Sequence, residues 1–209
     1  MATIIGISGS PRKAATEYAL QQALRAAGEV PGVETKLLTL RGKQIGFCIH
    51  CDRCVREETR HCLVHRDDDM QPLFEQFLEA DGYIVASPVY MMNPTAQLTA
   101  FFNRFRAAHT LLTENTDFFR FRVGGAMAVG GTRNGGQELT INAIHGFYHT
   151  LGITVINGGL GVYAGVSVWS RDQRAAGAEA DVTGMENAGK LGRRVAEAAV
   201  ALSYRQEPG

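Results

Sequence analysis

Apolar positions along this chain fall into two patterns, short unbroken runs and longer stretches with a helical repeat, and the two alternate. Residues 3–7 (Thr-Ile-Ile-Gly-Ile) form a short apolar run that ends in a turn rich in glycine and serine, which predicts a buried strand. In residues 15–27, Leu20, Ala23, Leu24 and Ala27 recur at helical spacing, and Gly28 follows as a stop signal. Residues 33–40 predict a second strand. Pro72, followed by Leu73, Phe74, Phe77 and Leu78, marks a second helix, and residues 83–86 a third strand ending at Ser87-Pro88. Residues 96–109 predict one helix with Leu98, Phe101, Phe102 and Phe105 on one face. Residues 123–129 then predict a strand, 138–151 a helix, 153–156 a strand and 185–203 a last helix.

Short apolar strands alternating with helices imply a parallel sheet covered on both faces. Five strands at this spacing fit the flavodoxin-like order 2-1-3-4-5, so the expected fold is a doubly wound α/β sheet in a single domain over residues 1–209. Two segments break the alternation. Residues 41–70 are polar, carry cysteines, and are long for a connection in a compact domain, which marks a functional loop inserted in the fold. Residues 157–181 are rich in glycine and alanine and read as an irregular excursion, a lid or an interface arm.

Charge narrows the partners. The 209 residues carry 21 basic and 21 acidic side chains, with no electrostatic footprint for nucleic acid or an anionic membrane. No apolar run reaches the roughly 18 residues of a membrane span, and the N-terminus, though apolar, is far too short for a signal peptide and lacks its basic region. The expectation is a soluble cytoplasmic protein. All four cysteines lie between Cys48 and Cys62. A disulfide framework would spread them along the chain, whereas a thiol cluster in one segment points to a metal centre.

In an open parallel sheet, ligands bind beyond the carboxyl ends of the strands. Three loops leave such ends here. The first, residues 6–16, offers the hydroxyls of Ser8, Ser10 and Thr16, close backbone approach at Gly9, the charges of Arg12 or Lys13, and the free amides of a helix start. This suits a monophosphate; the spacing matches neither the Walker loop nor the dinucleotide Gly-x-Gly-x-x-Gly. The second loop carries Pro88, Val89, Tyr90, Met91, Met92 and Asn93, a flat apolar wall with a few polar groups, as a flavin ring requires. The third, residues 130–137, has four glycines, among them Gly131 and Gly136, with Arg133 available for a phosphate or a charged ring edge. Taken singly, the three also suit an ordinary capped turn, a buried aromatic–methionine patch and a flexible turn. Their recurrence on three strand ends favours a binding site.

Cys48, Cys51 and Cys54 form a C-x2-C-x2-C run, and Cys62 follows after seven residues. Bacterial ferredoxins use a related run for a cluster. Structural zinc usually takes two well-separated C-x2-C knuckles, so the triplet favours one [4Fe–4S] cluster over zinc. Arg53, Arg56 and Arg60 are placed to offset thiolate charge or simply to be solvated. His145 and His149 lie one helical turn apart without a third ligand and read as helix surface or core. Trp169 is a candidate to reach over a ligand.

With these motifs assembled, the chain resembles the iron–sulfur flavoproteins, a branch of the NADPH-dependent FMN reductase-like superfamily. The resemblance rests on residues 6–13, the cysteine run, Asp67-Asp68-Asp69-Met70, Ala80-Asp81-Gly82, residues 87–91 and residues 130–138, with an echo at Thr183-Gly184-Met185. It implies FMN and one [4Fe–4S] cluster per chain, homodimers or tetramers, and electron transfer with ferredoxin-like donors. By resemblance, Ser8, Ser10, Arg12 and Thr16 take the phosphate, while residues 88–93 and 131–136 frame the ribityl chain and ring. An NAD(P)H-dependent flavin or quinone reductase with structural cysteines and a non-enzymatic electron carrier or redox sensor are the rival readings.

Overall fold

A computed structural model describes residues 1–203; residues 204–209 of the expected domain lie outside the described residues. The strands β1 (Ala2–Ser8), β2 (Val33–Thr39), β3 (Gly82–Pro88) and β4 (Val123–Gly130) are all parallel, and with β5 (Thr154–Val155) they run in the order β2-β1-β3-β4-β5. β1, β3 and β4 are apolar along nearly their whole length because both faces of the sheet are covered.

The sheet has six strands rather than five. β6 (Val166–Trp169) pairs with β4, Met127 opposite Val166 and Gly130 opposite Trp169, while β5 pairs with Val123 and Gly124 at the start of the same strand. The fifth position in the sheet is therefore filled twice along one edge, and residues 156–165 leave it and return. This corrects the reading of residues 157–181 as irregular: they contain β6 and a short helix, Arg174–Glu179. β6 escapes the sequence pattern because it is four residues long and alternates buried valine with exposed serine inside a glycine-rich stretch.

Helices cover both faces. In chain order they are α1 (Ala15–Gly28), α2 (Arg53–Arg56), α3 (Met70–Glu79), α4 (Ala96–Arg104), α5 (His109–Glu114), α6 (Gln137–Leu151), α7 (Arg174–Glu179) and α8 (Val182–Ser203). The helix expected over residues 96–109 is interrupted by a 3-10 turn, Phe105–Ala108, before α5 begins. The last helix starts at Val182, ahead of the expected 185. On one face α1 and α8 build an aliphatic core from Ala19, Leu20, Ala23, Leu191, Val195 and their neighbours. The two helices approach so closely at Gly192 that a side chain there would collide with the Ala23 backbone.

The other face, under α3, α4 and α6, is aromatic. Phe77 stacks on Tyr83 with ring centroids 4.0 Å apart, and Phe101, Phe105, Phe119 and Phe147 pack edgewise around it. The two tyrosines of this core are fully buried, and each hydroxyl donates to a backbone carbonyl, Tyr83 to Phe77 (2.9 Å) and Tyr148 to Gly125 (3.0 Å). Burial pushes both phenol pKa values up, so both stay neutral donors.

Candidate functional site

The carboxyl ends of β1, β3 and β4 come together, and short bonds tie their loops into one unit. The Gly9 amide donates to Ala86 (2.8 Å) and the Val89 amide to Val129 (2.9 Å). Thr95 joins two of the loops: its hydroxyl donates to the Gly9 carbonyl (2.7 Å) and accepts the Leu98 amide (3.2 Å), while its own amide donates to Ser87 Oγ (3.2 Å). It is thus the N-cap of α4 as well as a clamp on the first loop. The Thr after Pro94, just ahead of a helical repeat, was the available sequence signal for this role.

The first loop presents an uncapped helix. Ala14 at the N-cap supplies no side-chain bond, and the amides of Ala15, Thr16 and Glu17 have no acceptor among the described residues. A cluster of free amides at the positive end of a 14-residue helix favours an anion. Ser8, Ser10 and Thr16 are buried, whereas Arg12 and Lys13 are exposed. Ser10 is engaged with the loop itself: its hydroxyl donates to the Arg12 carbonyl (2.7 Å) and accepts the Arg12 amide (3.2 Å). The structure therefore gives Ser10 a role in shaping the turn, leaving the free amides and the two exposed cations for an anion, with Thr16 buried at the helix start.

The second loop is a tight turn. Tyr90 and Asn93 exchange both backbone bonds at 2.9 Å, and Met91 (φ 49°) and Met92 (φ 63°) between them are left-handed. Non-glycine residues in that region cost of order 1–2 kcal/mol each, and such strain concentrates at ligand sites. The turn pushes Met91 almost fully into solvent, at 94% exposure. The third loop meets the second at Gly136, whose φ of +104° needs glycine and where a Cβ would sit 2.7 Å from Met92 Cα. Gln137 braces the third loop from inside, accepting the Gly135 amide (2.8 Å) and donating to the Thr132 carbonyl (2.6 Å). Trp169, at the end of β6, donates its indole N–H to the Gly131 carbonyl (2.9 Å). Arg133 lies over that indole, 4.5 Å from the ring centroid. Tyr90, Met91 and Asn93 of the second loop thus lie beyond Pro88 at the end of β3, with Val89 tied to β4, and Gly131, Arg133 and Gly136 lie on the adjoining loop beyond β4.

The cysteine loop is folded rather than loose. Cys48, Cys51, Cys54 and Cys62 line one small hollow, and none is in a disulfide. The His50 amide points at Cys48 Sγ (3.4 Å) and the His65 amide at Cys62 Sγ (3.5 Å). Burial raises the Cys54 thiol pKa. Among the described residues, no three His, Cys, Asp or Glu side chains are grouped to hold a single metal ion.

The anchors of this loop were missed in the sequence. Asp68 binds the buried Arg104 of α4 and accepts the amides of Gly46 (2.9 Å) and Met70 (3.1 Å). Arg104 also donates to the Gly46 carbonyl (3.0 Å). Burial pushes the Asp68 carboxyl pKa up, but the bonds from Arg104, Gly46 and Met70 outweigh it and hold the pKa below the ordinary value. Asp69 accepts the Gln44 amide (2.8 Å) and pairs with Lys43 (3.3 Å), while Asp52 pairs with Arg106 (2.8 Å) and Arg41 with the buried Glu17 (3.3 Å). Two of the three acidic residues at 67–69 are thus loop anchors. An aspartate just ahead of an apolar helix was the available signal.

The profile described as NADPH-dependent FMN reductase matches residues 2–165. An iron-sulfur flavoprotein of Archaeoglobus fulgidus is 44% identical over 93% of this chain and 95% of its own length. Another, from Methanocaldococcus jannaschii, is 39% identical over 87% of this chain and 89% of its own. Among solved structures, RosB with a bound riboflavin-phosphate intermediate superposes with a TM-score of 0.77 at 15% identity, over 99% of this chain and 82% of its own. That last likeness shows the fold. The chain belongs to the NADPH-dependent FMN reductase family, as a flavin-dependent oxidoreductase of its iron–sulfur flavoprotein branch.

Proposed function

We propose that this protein passes electrons between FMN, seated on the loops after β1, β3 and β4, and a [4Fe–4S] cluster held by Cys48, Cys51, Cys54 and Cys62. The observation that carries the reading is the folded thiol loop: four free cysteines around one hollow, two of them facing backbone amides, pinned to α4 by Asp68–Arg104. Backbone N–H bonds to sulfur are one of the levers that set a cluster's potential. FMN handles one or two electrons and the cluster one, so together they convert between one- and two-electron carriers. The protein's part is to orient and shield. The free amides of Ala15, Thr16 and Glu17, with Arg12 and Lys13, receive the phosphate; Tyr90 and Met91 supply an apolar wall; Asn93, Arg133 and the backbone of Gly131 and Gly136 meet the polar edge.

The relatives named iron-sulfur flavoprotein and the riboflavin phosphate in RosB support both cofactors. Phe47 and Ile49, more than half exposed beside Cys48, offer a docking rim for a ferredoxin-like donor, and assembly as a dimer or tetramer belongs to the same proposal. Among the described residues no helix is long and apolar enough to cross a membrane. A second reading, NAD(P)H-driven reduction of flavin or quinone with structural cysteines, is favoured by the matching family's description. Anaerobic purification followed by measurement of iron, sulfide, zinc and flavin per chain separates the two. About four irons and four sulfides with one FMN supports the two-centre protein. Flavin with zinc, or with no metal after anaerobic reconstitution, leaves the reductase.

A further inference from the structure

The arginines carried by the cysteine run itself are engaged elsewhere. Arg53 borders the hollow, but its Nε and one terminal nitrogen both donate to Glu57 (3.3 and 3.4 Å). Arg56 donates to the Cys51 carbonyl (2.9 Å) and Arg60 to Glu114 (3.2 Å). The cation that reaches the hollow with a free edge comes from another element. Arg106 lines it together with Cys48, Cys51, Cys54 and Cys62. Its Nε donates to Asp52 (2.8 Å), and its two terminal nitrogens have no partner among the described residues.

The local structure on both sides delivers this pair. The 3-10 turn Phe105–Ala108, which breaks the helix expected over residues 96–109, buries Phe105, Ala107 and Ala108 and leaves only Arg106 turned outward. Opposite it, Asp52 lies between Cys51 and Cys54 with φ 55°, a left-handed conformation that residues other than glycine adopt at a cost. Its carbonyl accepts the amides of Val55 (3.1 Å) and Arg56 (2.9 Å) that start α2, so the backbone that carries Cys54 also fixes the carboxylate. The other carboxylate oxygen lies 4.0 Å from the exposed His50 imidazole. Arg106 and Cys48 also line a groove of about 920 Å³ along α4, α5 and α6 that reaches Asn93 and Pro94 of the second loop. The guanidinium thus stands on the side of the thiol hollow that is shared with this groove.

We propose that Arg106 sets the reduction potential of the cluster, its free guanidinium edge stabilising the added electron while Asp52 holds the side chain in place and tempers its charge. The inference rests on the two-centre reading above. Four thiolates make the oxidised centre anionic. An electron arriving singly from reduced flavin or a low-potential iron–sulfur carrier deepens that charge, with no bond made or broken. Net charge and hydrogen bonds at the sulfurs are among the levers that set such a potential. Arg106 supplies a fixed charge and a planar donor edge at once, which a lysine would not.

The test is a dithionite titration of the anaerobically reconstituted holoprotein, followed by visible absorption and electron paramagnetic resonance. Wild type, Arg106→Gln, Arg106→Lys and Asp52→Asn are compared, with iron, sulfide and urea midpoint measured on each. At a fixed ambient potential, Arg106→Gln is expected to lower the ratio of reduced to oxidised cluster about tenfold, a fall of about 59 mV for one electron. That is the low end for a charged hydrogen bond, because the side chain is 31% exposed. Arg106→Lys keeps the charge and is expected to stay within about threefold of wild type. Asp52→Asn keeps the shape, removes the opposing charge and is expected to shift the potential upward. A purely structural tie would not give these opposite signs. A wild-type potential in the loaded fraction of Arg106→Gln, even with less iron, overturns the inference, as do shifts of the same sign in Arg106→Gln and Asp52→Asn. If Arg106→Gln takes up no iron, Asp52→Asn decides, and a downward or absent shift there overturns the inference. A wild-type chain that forms no cluster overturns the two-centre reading and this inference with it, whereas a loaded cluster with an unmoved potential overturns this inference and leaves that reading standing.

Discussion

Arg104 lies at only 4% side-chain exposure, and its partner Asp68 at 12%. A buried pair of this kind adds little over an apolar equivalent, but removing one member strands the other charge, at a cost of about 3–5 kcal/mol. Asp68→Asn is expected to fall in that range by urea denaturation and to lower cluster loading, because the same carboxylate holds the Gly46 amide. The pH dependence follows from the carboxyl being held below its ordinary 3.8. Its contribution is complete above 3.8 and is lost as pH falls through the lower folded value, so wild type and Asp68→Asn should converge in acid. His145 behaves differently. Burial and then the neighbouring His149 depress its pKa below 6.5, and its Nε2 is buried without a partner among the described residues. It folds neutral, so its contribution is present above 6.5 and is lost as pH falls from there toward the depressed folded value. His145→Leu should flatten the stability profile over that window without loss at pH 8, since it removes an unsatisfied polar atom; a steeper profile would show that the imidazole has a charged partner. The cysteines and glycines of the site could be read in sequence because their chemistry is local. The pairings of Arg104 and Arg106 could not, since their partners lie 36 to 58 residues away and periodicity carries no such pairing.

The same contrast holds among the elements. β1, β3 and β4 are apolar on both sides and announce themselves, whereas β5 has two residues and β6 four, and both owe their conformation to the edge of β4. No local pattern separates Val166–Trp169 from the glycine-rich stretch around it; only the pairing does. α4 shows how an element end can serve the site. Its N-cap, Thr95, satisfies the Leu98 amide and also reaches the Gly9 carbonyl. Thr95→Val keeps the shape and removes both bonds. It should cost about 1–2 kcal/mol, the usual cost of losing an N-cap, and it frees the first loop from α4. FMN affinity, measured by flavin fluorescence quenching, should therefore fall together with thermal stability. A stability loss with unchanged affinity would mean that the first loop is held by Ser10 and the Gly9–Ala86 bond alone.

At the scale of the molecule, the two apolar cores enclose the sheet from both faces, and neither contains a cysteine. Residues 41–70 join the rest through the packing of Ile45 and Met70 at their two ends against the aromatic core and otherwise through polar ties, among them Glu17–Arg41, Asp68–Arg104, Asp52–Arg106 and Arg60–Glu114. Between those ends, residues 47–66 bury no side chain fully and depend for order on those ties and on whatever their thiolates bind, because binding energy at a ligand site contributes directly to folding of the segment that forms it. Cys54→Ser is therefore expected to abolish iron incorporation while leaving FMN content and the urea midpoint of the cluster-free protein within about 0.5 kcal/mol of wild type, as for other substitutions outside a core. Limited trypsinolysis provides the spatial reading, since Arg56, Arg60 and Arg66 are exposed within the loop. Cleavage at these three positions should speed up in Cys54→Ser and in chelator-treated wild type, with the remainder of the chain resistant, as expected when one unit opens locally. Loss of FMN together with the iron, or one global transition at a much lower midpoint, would show instead that the thiol loop and the flavin sheet fold as a single cooperative unit, with the ties to α1 and α4 strong enough to couple the two centres energetically.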